Sequence, residues 1–247
     1  MLKENDFIKV ILVEPIGPIN LGSVARLCEN FGIKELRIVS PKCDHLDPDS
    51  IKMAMRGKSL LKDAKIFPNL LEAIDDCTKV IATCGRIDHG NIPLYNSIES
   101  LEWLVEPLFV KDPVAIVFGR EDRGLSNEEL QLAQKVISLE TSSNYPSLNL
   151  SHAVAIVLYE LNKLKTTSKI QEKIEPFNYP YPKDLDNFLK DAENLLLEIG
   201  FLYKHTKKAR MAKIKGFLQR GEVREEEISL FRGIIRQLRW FNDKKIP

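Results

Sequence analysis

The 247-residue sequence lacks the features of a secreted or membrane protein. Its four cysteines include no CxxC pair, which favours reduced, intracellular thiols over a disulfide framework or a zinc site. No apolar run approaches the roughly 18 residues of a membrane-spanning helix, and the N-terminal stretch MLKENDFIKV is too polar for a signal peptide. The four histidines have no metal-ligand spacing. We therefore expect a cytoplasmic protein that binds no metal and no membrane.

Three common nucleotide and nucleophile motifs are also missing. There is no GxGxxG stretch, which argues against a dinucleotide site, and no GxSxG nucleophile elbow. The letters GKS at 57–59 resemble the end of a phosphate-binding P-loop, but Lys52 stands where that loop needs its first glycine. We interpret this match as accidental.

Charge is unevenly distributed, although the net charge is only +1. Residues 203–247 contain thirteen Lys/Arg and five acids, a net charge of +8, and the remainder carries −7. Between positions 203 and 220 there are seven basic residues and no acid, so we expect this stretch to face outward. A basic module on a mildly acidic body indicates a polyanionic partner, and nucleic acid is the first candidate.

Apolar segments alternate between strand-like and helix-like patterns over the first 165 residues. We predict strands at 8–13, 36–39, 80–83, 114–118 and 136–139, and helices at 21–31, 49–61, 70–76, 97–109, 127–134 and 148–164. Asp49 and Asn69 are the expected caps of the second and third helices, and Ser126 with Glu129 forms a capping box. This alternation predicts an α/β fold with a mostly parallel sheet covered on both faces.

The chain changes character after residue 165. A stretch rich in Thr, Ser and Lys contains three prolines and is interpreted as a linker. Beyond it, apolar residues recur at helical spacing. We predict an α/β domain at 1–165, a linker at 166–183 and a small, basic helical domain at 184–247.

Three stretches carry candidate chemistry. Asn20 and Arg26 lie in NLGSVAR after the first strand, where a guanidinium on an early helical turn can bind a phosphate. Asn20 could equally be only a helix or turn cap, and Arg26 taken alone is better explained as a surface residue of an amphipathic helix. The loop FGREDRGL at 118–125 offers Glu121 as a hydrogen-bond acceptor between glycines, or is only a charged surface turn. In YPSLNLS at 145–151, Ser147 precedes a helix as a cap, and Asn149 sits unusually one turn inside it.

In this order and combination, the three stretches resemble the motifs of SPOUT methyltransferases, and more narrowly the TrmH/SpoU family of RNA ribose 2′-O-methyltransferases. The resemblance covers about residues 7–165. It implies an α/β sheet whose C-terminal segment forms a deep trefoil knot, here from segments 83–86, 119–124 and 138–149.

The resemblance also implies a site and a cofactor. S-adenosylmethionine would be bound, largely through backbone groups, by Thr83, Cys84, Gly85, Gly119, Leu139, Pro146, Ser147 and Leu148. The catalytic set would be Asn20, Arg26, Glu121, Ser147 and Asn149. Because a guanidinium almost never loses its proton, we expect Arg26 to stabilise the developing alkoxide and not to act as a base.

Partners follow from the same resemblance. The family is dimeric, and residues of the first motif commonly complete the site of the other subunit. The motif spacing and the helical extension imply a tRNA substrate, with methylation of cytidine or uridine at nucleotide 32 of the anticodon loop. Two alternatives remain: a ribosomal RNA ribose 2′-O-methyltransferase, and a non-catalytic RNA-binding protein on the same fold.

Overall fold

The computed structural model describes residues 5–86, 92–106, 112–142, 147–167, 180–221 and 223–243. The chain divides into two compact units, residues 1–176 and 177–247. Most of the predicted linker, residues 168–179, lies outside the described residues. None of the described helices combines the length and the apolar character needed to cross a bilayer.

The first unit is built on a sheet in which all six strands run parallel. The strands are β1 (Asn5–Val13), β2 (Ile33–Val39), β3 (Lys65–Phe67), β4 (Lys79–Thr83), β5 (Val114–Phe118) and β6 (Lys135–Ile137). Their order across the sheet is β3-β2-β1-β5-β4-β6. The predicted parallel α/β architecture is therefore confirmed. Because the order reverses between β1 and β5, the loops after these two strands diverge there, as at other ligand-binding switch points.

Burial explains the central position of β5. All five of its side chains are buried, and Ile116 pairs with Val10 of β1 on one side and Ile81 of β4 on the other. A continuous apolar run suits a strand that is covered on both faces. β3 was not predicted, because it is a short edge strand whose Lys65 and Ile66 are exposed.

Seven helices connect and cover the strands in the described part of this unit. They are α1 (Pro18–Asn30), α2 (Pro48–Ala54), α3 (Lys58–Lys62), α4 (Leu70–Ala73), α5 (Ser97–Val105), α6 (Asn127–Leu130) and α7 (Leu150–Thr167). The predicted capping box of α6 is confirmed, since Ser126 accepts from the amide of Glu129 and the Glu129 carboxylate accepts from the amide of Ser126. Asn69 caps α4 as predicted, by accepting from the amide of Glu72.

The single helix predicted at 49–61 is wrong. α2 ends at Ala54, because the next residue, Met55, has a φ of 50° that cannot continue a right-handed helix, and a short 3₁₀ turn at Met55–Gly57 leads into α3. The cap of α2 is Asp47, not Asp49: Asp47 accepts from the amide of Asp49. The break brings Gly57 against α1, where an added Cβ would lie 2.4 Å from the carbonyl oxygen of Ala25.

The second unit contains α8 (Pro182–Glu198), α9 (Lys207–Arg220) and α10 (Glu225–Asp243). Its core is formed by apolar side chains of all three helices, among them Leu195, Leu218 and Ile228. The prediction that the basic stretch at 203–220 faces outward is wrong for two of its lysines. Lys207 forms an ion pair with Glu193 at 2.8 Å, and burial lowers the pKa of Lys215.

Candidate active site

A cavity of about 380 Å³ opens beyond the carboxyl ends of β4 and β5. It is lined by residues 83–86 after β4, residues 118–124 at the end of β5, residue 139 after β6, and residues 147, 148, 150 and 153 at the start of α7. The volume is that of an ordinary small-molecule site. Segments that are distant in sequence therefore build one wall because parallel strands end at a common edge.

Seven of the eight residues predicted to bind the cofactor lie on this wall: Thr83, Cys84, Gly85, Gly119, Leu139, Ser147 and Leu148. The eighth, Pro146, lies outside the described residues. The Thr83 hydroxyl donates to the carbonyl of Val117 at 3.1 Å, and the Cys84 amide donates to the carbonyl of Ile137 at 2.8 Å. These bonds fix the loop after β4 against the two neighbouring strands.

Two glycines close the loop after β5. An added Cβ at Gly119 would lie 2.4 Å from both the Gly124 carbonyl carbon and the Leu125 nitrogen. Gly124 has φ near 67°, and its amide donates to the carbonyl of Arg120 at 3.0 Å. The turn therefore needs glycine at both positions, at one because backbone approaches closely and at the other because φ is positive.

Glu121 joins the loop after β5 to the loop after β1. Its Oε2 accepts from the amide of Ile16 at 3.0 Å, and its Oε1 accepts from the amide of Gly17 at 3.1 Å and from Nδ2 of Asn20 at 3.3 Å. These donors lie at the beginning of α1, where a negative charge is favoured by the helix dipole. The carboxylate therefore holds the first and second motifs together across the switch point.

Asn149 adds the third motif to the same network. Its Nδ2 donates to Oδ1 of Asn20 at 3.0 Å, and its Oδ1 accepts from the amide and the hydroxyl of Ser151 at 2.9 and 2.7 Å. Since α7 begins at Leu150, Asn149 is the cap of this helix and does not lie inside it, which corrects the predicted position. Ser147 is exposed on the cavity wall three residues before the helix.

Arg26 is not brought to this cluster within the chain. α1 begins at Pro18, earlier than predicted, so Arg26 lies on the third turn and not on the first or second. It is exposed, does not line the cavity, and makes no hydrogen bond or ion pair with any described residue. Of the five predicted catalytic residues, Asn20, Glu121 and Asn149 are joined by hydrogen bonds, Ser147 lies on the cavity wall, and Arg26 is separate.

An ion-pair cluster beneath the loop was missed from the sequence. Arg120 donates to both carboxylate oxygens of Glu129 at 2.8 and 2.9 Å and to Glu14 at 2.8 Å. The hydrogen bond from Arg120 lowers the pKa of Glu14 to about 2. Glu14 itself has φ near 45°, an uncommon conformation for a residue other than glycine. The capping box identified Glu129, but nothing in the sequence signals a partner more than one hundred residues before Arg120.

Together the fold and the cavity define a class of protein. It is a parallel α/β protein with a small-molecule site beyond the carboxyl ends of its strands, and no group of three or more His, Cys, Asp or Glu in the described segments could hold a metal ion. Residues 8–159 match the SpoU rRNA Methylase family, and residues 183–245 match the C-terminal domain of the tRNA methyltransferase TrmJ. The chain belongs to the SpoU methylase family and is a TrmJ-like SPOUT methyltransferase.

Similar proteins agree with this assignment over nearly the whole chain. The tRNA (cytidine/uridine-2′-O-)-methyltransferase TrmJ of Escherichia coli K12 is 32% identical over 237 residues, which are 94% of each chain. The tRNA (cytidine-2′-O-)-methyltransferase TrmJ of Methanocaldococcus jannaschii is 42% identical over 162 residues, 66% of this chain and 70% of the relative. The crystal structure of TrmJ from Zymomonas mobilis (Z. mobilis ZM4) aligns with a TM-score of 0.79 at 28% identity, covering 94% of this chain and 98% of that one.

Proposed function

We propose that the protein transfers a methyl group from S-adenosylmethionine to a ribose 2′-hydroxyl in tRNA, with cytidine or uridine at nucleotide 32 as the target. The observation that carries the proposal is the hydrogen-bond network of Asn20, Glu121 and Asn149, which joins the three motifs beside a cavity lined by residues of the second and third motifs. The substrate is supported by the names of the relatives, which are tRNA ribose methyltransferases.

The cavity fits the proposed cofactor. Its wall combines the apolar side chains of Phe118, Leu139 and Leu148 with the glycine backbone at 85 and 119. Apolar walls suit the adenine ring, and exposed backbone groups suit its hydrogen-bonding edge. When bound, S-adenosylmethionine supplies a methyl group that is already activated by its sulfonium. The protein then mainly has to position two reactants and manage one proton.

The hydrogen bonds assign different tasks to the polar residues. Both oxygens of Glu121 already accept from donors of the β1–α1 segment, so this carboxylate positions loops and is not a free base. Asn149 is similarly engaged with Asn20 and Ser151. Ser147 is exposed on the wall, where it can contact cofactor or ribose. Arg26 would stabilise the developing alkoxide, since a guanidinium is a poor general base and a good partner for negative charge.

Arg26 would perform this task in the cavity of a second subunit. It does not line the cavity of its own chain. On the same helix, α1, Ile19 is an exposed apolar residue, as are Ile156 and Tyr159 on α7; each exposes between 40% and 54% of its surface. Exposed apolar residues on two helices that contact each other support a homodimer through this face. The dimer would place α1 of one protomer at the site of its partner.

Subunit mixing tests this arrangement. Arg26→Ala removes the guanidinium, and Ser147→Trp fills the rim of the cavity, so each variant alone should be inactive. If Arg26 acts across the dimer, a heterodimer of the two variants has one site with both defects and one intact site. Co-purified heterodimer should therefore regain methyl transfer. A heterodimer as inactive as its parents would show that Arg26 does not act in the partner's site.

The trefoil knot is proposed as part of the same function. Residues of the three predicted segments, 83–86, 119–124 and 138–149, lie together on the cavity wall, which supports the knot, although residues 143–146 lie outside the described residues. The basic helices at 184–247 would bind the tRNA through its phosphates.

The decisive experiment measures methyl transfer to synthetic tRNA. Transcripts with cytidine, uridine or 2′-deoxycytidine at nucleotide 32 are incubated with labelled S-adenosylmethionine, with and without a chelator. We expect labelling of the first two transcripts and not of the deoxy control, unaffected by the chelator. Labelling of the deoxy control would exclude nucleotide 32, labelling of a ribosomal RNA fragment alone would exclude tRNA, and no labelling of any RNA would favour a non-catalytic RNA-binding protein.

A further inference from the structure

Three arginines line the cavity, and they differ in how their charge is balanced. Arg120 is neutralised by two carboxylates at 2.8 Å. Arg123 lies 3.3 Å from a carboxylate oxygen of Glu14 and 3.7 Å from one of Asp122. Arg86 has no acidic partner among the described residues; its Nη2 donates to the amide oxygen of Asn127 at 2.7 Å. Arg86 therefore brings to the cavity wall a positive charge with which no described carboxylate forms an ion pair.

The position of Arg86 is fixed although no described carboxylate pairs with it. It directly follows Thr83, Cys84 and Gly85, and its Cγ and Cδ lie 3.9 and 4.0 Å from where a Cβ at Gly124 would be. The stem of the side chain therefore lies beside the loop after β5, at van der Waals distance from position 124. The neutral oxygen of Asn127 then orients the guanidinium without cancelling its charge.

One nitrogen of this guanidinium is left without a partner. The Nε atom of Arg86 is buried and makes no hydrogen bond with any described residue. Nε of Arg120 is in the same state, but the other two nitrogens of Arg120 are held by Glu14 and Glu129. Buried donors in native proteins are nearly always satisfied, by protein, water or ligand. A guanidinium that lines a cavity without an acidic partner is suited to bind the oxygens of a carboxylate or a phosphate.

We propose that Arg86 binds an oxyanion of the ligand that fills the cavity. The inference rests on the proposed function, which brings two such groups to this edge of the sheet: the carboxylate of the cofactor's methionine moiety and a phosphate of the RNA. Arg86 supplies the positive charge, and Asn127 orients it. Arg120 and Arg123, whose charges are already paired, hold the loop instead.

Calorimetry with two cofactor analogues tests the carboxylate. S-adenosylhomocysteine has the carboxylate, and 5′-methylthioadenosine has the same nucleoside and thioether without it. If the carboxylate is the ligand, Arg86→Met should weaken the binding of S-adenosylhomocysteine about tenfold or more, because a charged hydrogen bond is lost. The same substitution should leave the affinity for 5′-methylthioadenosine unchanged. Arg86→Lys should recover part of the affinity. Arg123→Met, a change of the same type at a paired arginine on the same wall, should have a smaller effect.

Measurements with tRNA test whether the oxyanion is instead a phosphate of the RNA. If Arg86 binds a phosphate, Arg86→Met should leave the affinity for both analogues unchanged and raise the KM for tRNA. It should also lower the slope of log Kd for tRNA against log salt concentration by up to roughly 0.9. The inference is overturned if Arg86→Met resembles wild type in both arms, or if it weakens both analogues equally, which would indicate a damaged cavity. Failure of the wild-type protein to bind either analogue would instead overturn the proposed function.

Discussion

Replacing Glu121 by Gln tests whether the three motifs act as one assembly. The substitution keeps the size of the side chain but removes its charge and turns one oxygen into a donor. Both oxygens of Glu121 now accept, one from Ile16 and the other from Gly17 and Asn20. Whichever way the amide turns, its NH₂ group faces at least one N–H group that has lost its acceptor.

The size of the effect follows from these contacts. A hydrogen bond to a charged group contributes about 1.5–3 kcal/mol, but Ile16 is 46% exposed and its amide can be reached by water. We therefore expect the free energy of unfolding to fall by about 1–2 kcal/mol. The rate of methyl transfer should fall further, by about tenfold or more, because a small displacement of a positioning loop is costly to a reaction that depends on alignment.

Urea unfolding and single-turnover methyl transfer measure the two quantities separately. Asp122→Asn is the matched control: it neutralises the adjacent carboxylate, which is exposed and lies 3.7 Å from Arg123. This control should change stability by less than about 0.5 kcal/mol and leave the rate close to wild type. If Glu121→Gln transferred methyl within a factor of two of wild type, or if both variants lost activity equally, the bridging role of Glu121 would be refuted.

Three further predictions concern other parts of the chain. Gly119→Ala should abolish cofactor binding in calorimetry because its Cβ would meet backbone at 2.4 Å, whereas Gly32→Ala, with φ of 70° and open space around it, should cost only about 1–2 kcal/mol and leave binding intact. Since its arginine partner lowers the pKa of Glu14 from 4.5 to about 2, this carboxylate adds stability above pH 4.5 that is lost as the pH falls towards 2, and Glu14→Gln should flatten this part of the unfolding profile. Replacing Lys204 and Lys213, both exposed, by Gln should lower the salt slope of tRNA binding by up to roughly 1.8.

Local sequence patterns were sufficient to predict the secondary-structure elements that lie nearest the site. The run at 114–118 is a buried strand because every one of its residues is apolar, and the Ser126–Glu129 pattern forms the capping box that it predicts. Both features depend on neighbours within a few residues. The predicted cofactor residues on the cavity wall could be named only through a resemblance that covered all three motifs.

Features that depend on contacts between residues distant in sequence could not be predicted from local sequence patterns. Ser147 and Asn149 are both residue types that cap helices, and only the contact with Asn20, 129 positions away, distinguishes them. The pairing of Arg120 with Glu14 likewise spans 106 positions. β3 was missed for another reason, since a three-residue edge strand shows neither alternation nor an apolar run.

The hydrogen bonds suggest how such a site can work without a free catalytic carboxylate. Glu121, Asn149 and Arg120 are all engaged with protein groups, so their contribution is the fixed geometry of three loops. The cavity wall offers a ligand backbone groups, apolar surface, the Ser147 hydroxyl and the guanidinium of Arg86. In the proposed reaction the methyl group is already activated by its sulfonium, so a rigid site that aligns the reactants would provide what the transfer most requires. Residues that hold the loops should therefore affect the rate as strongly as residues that contact the ligand.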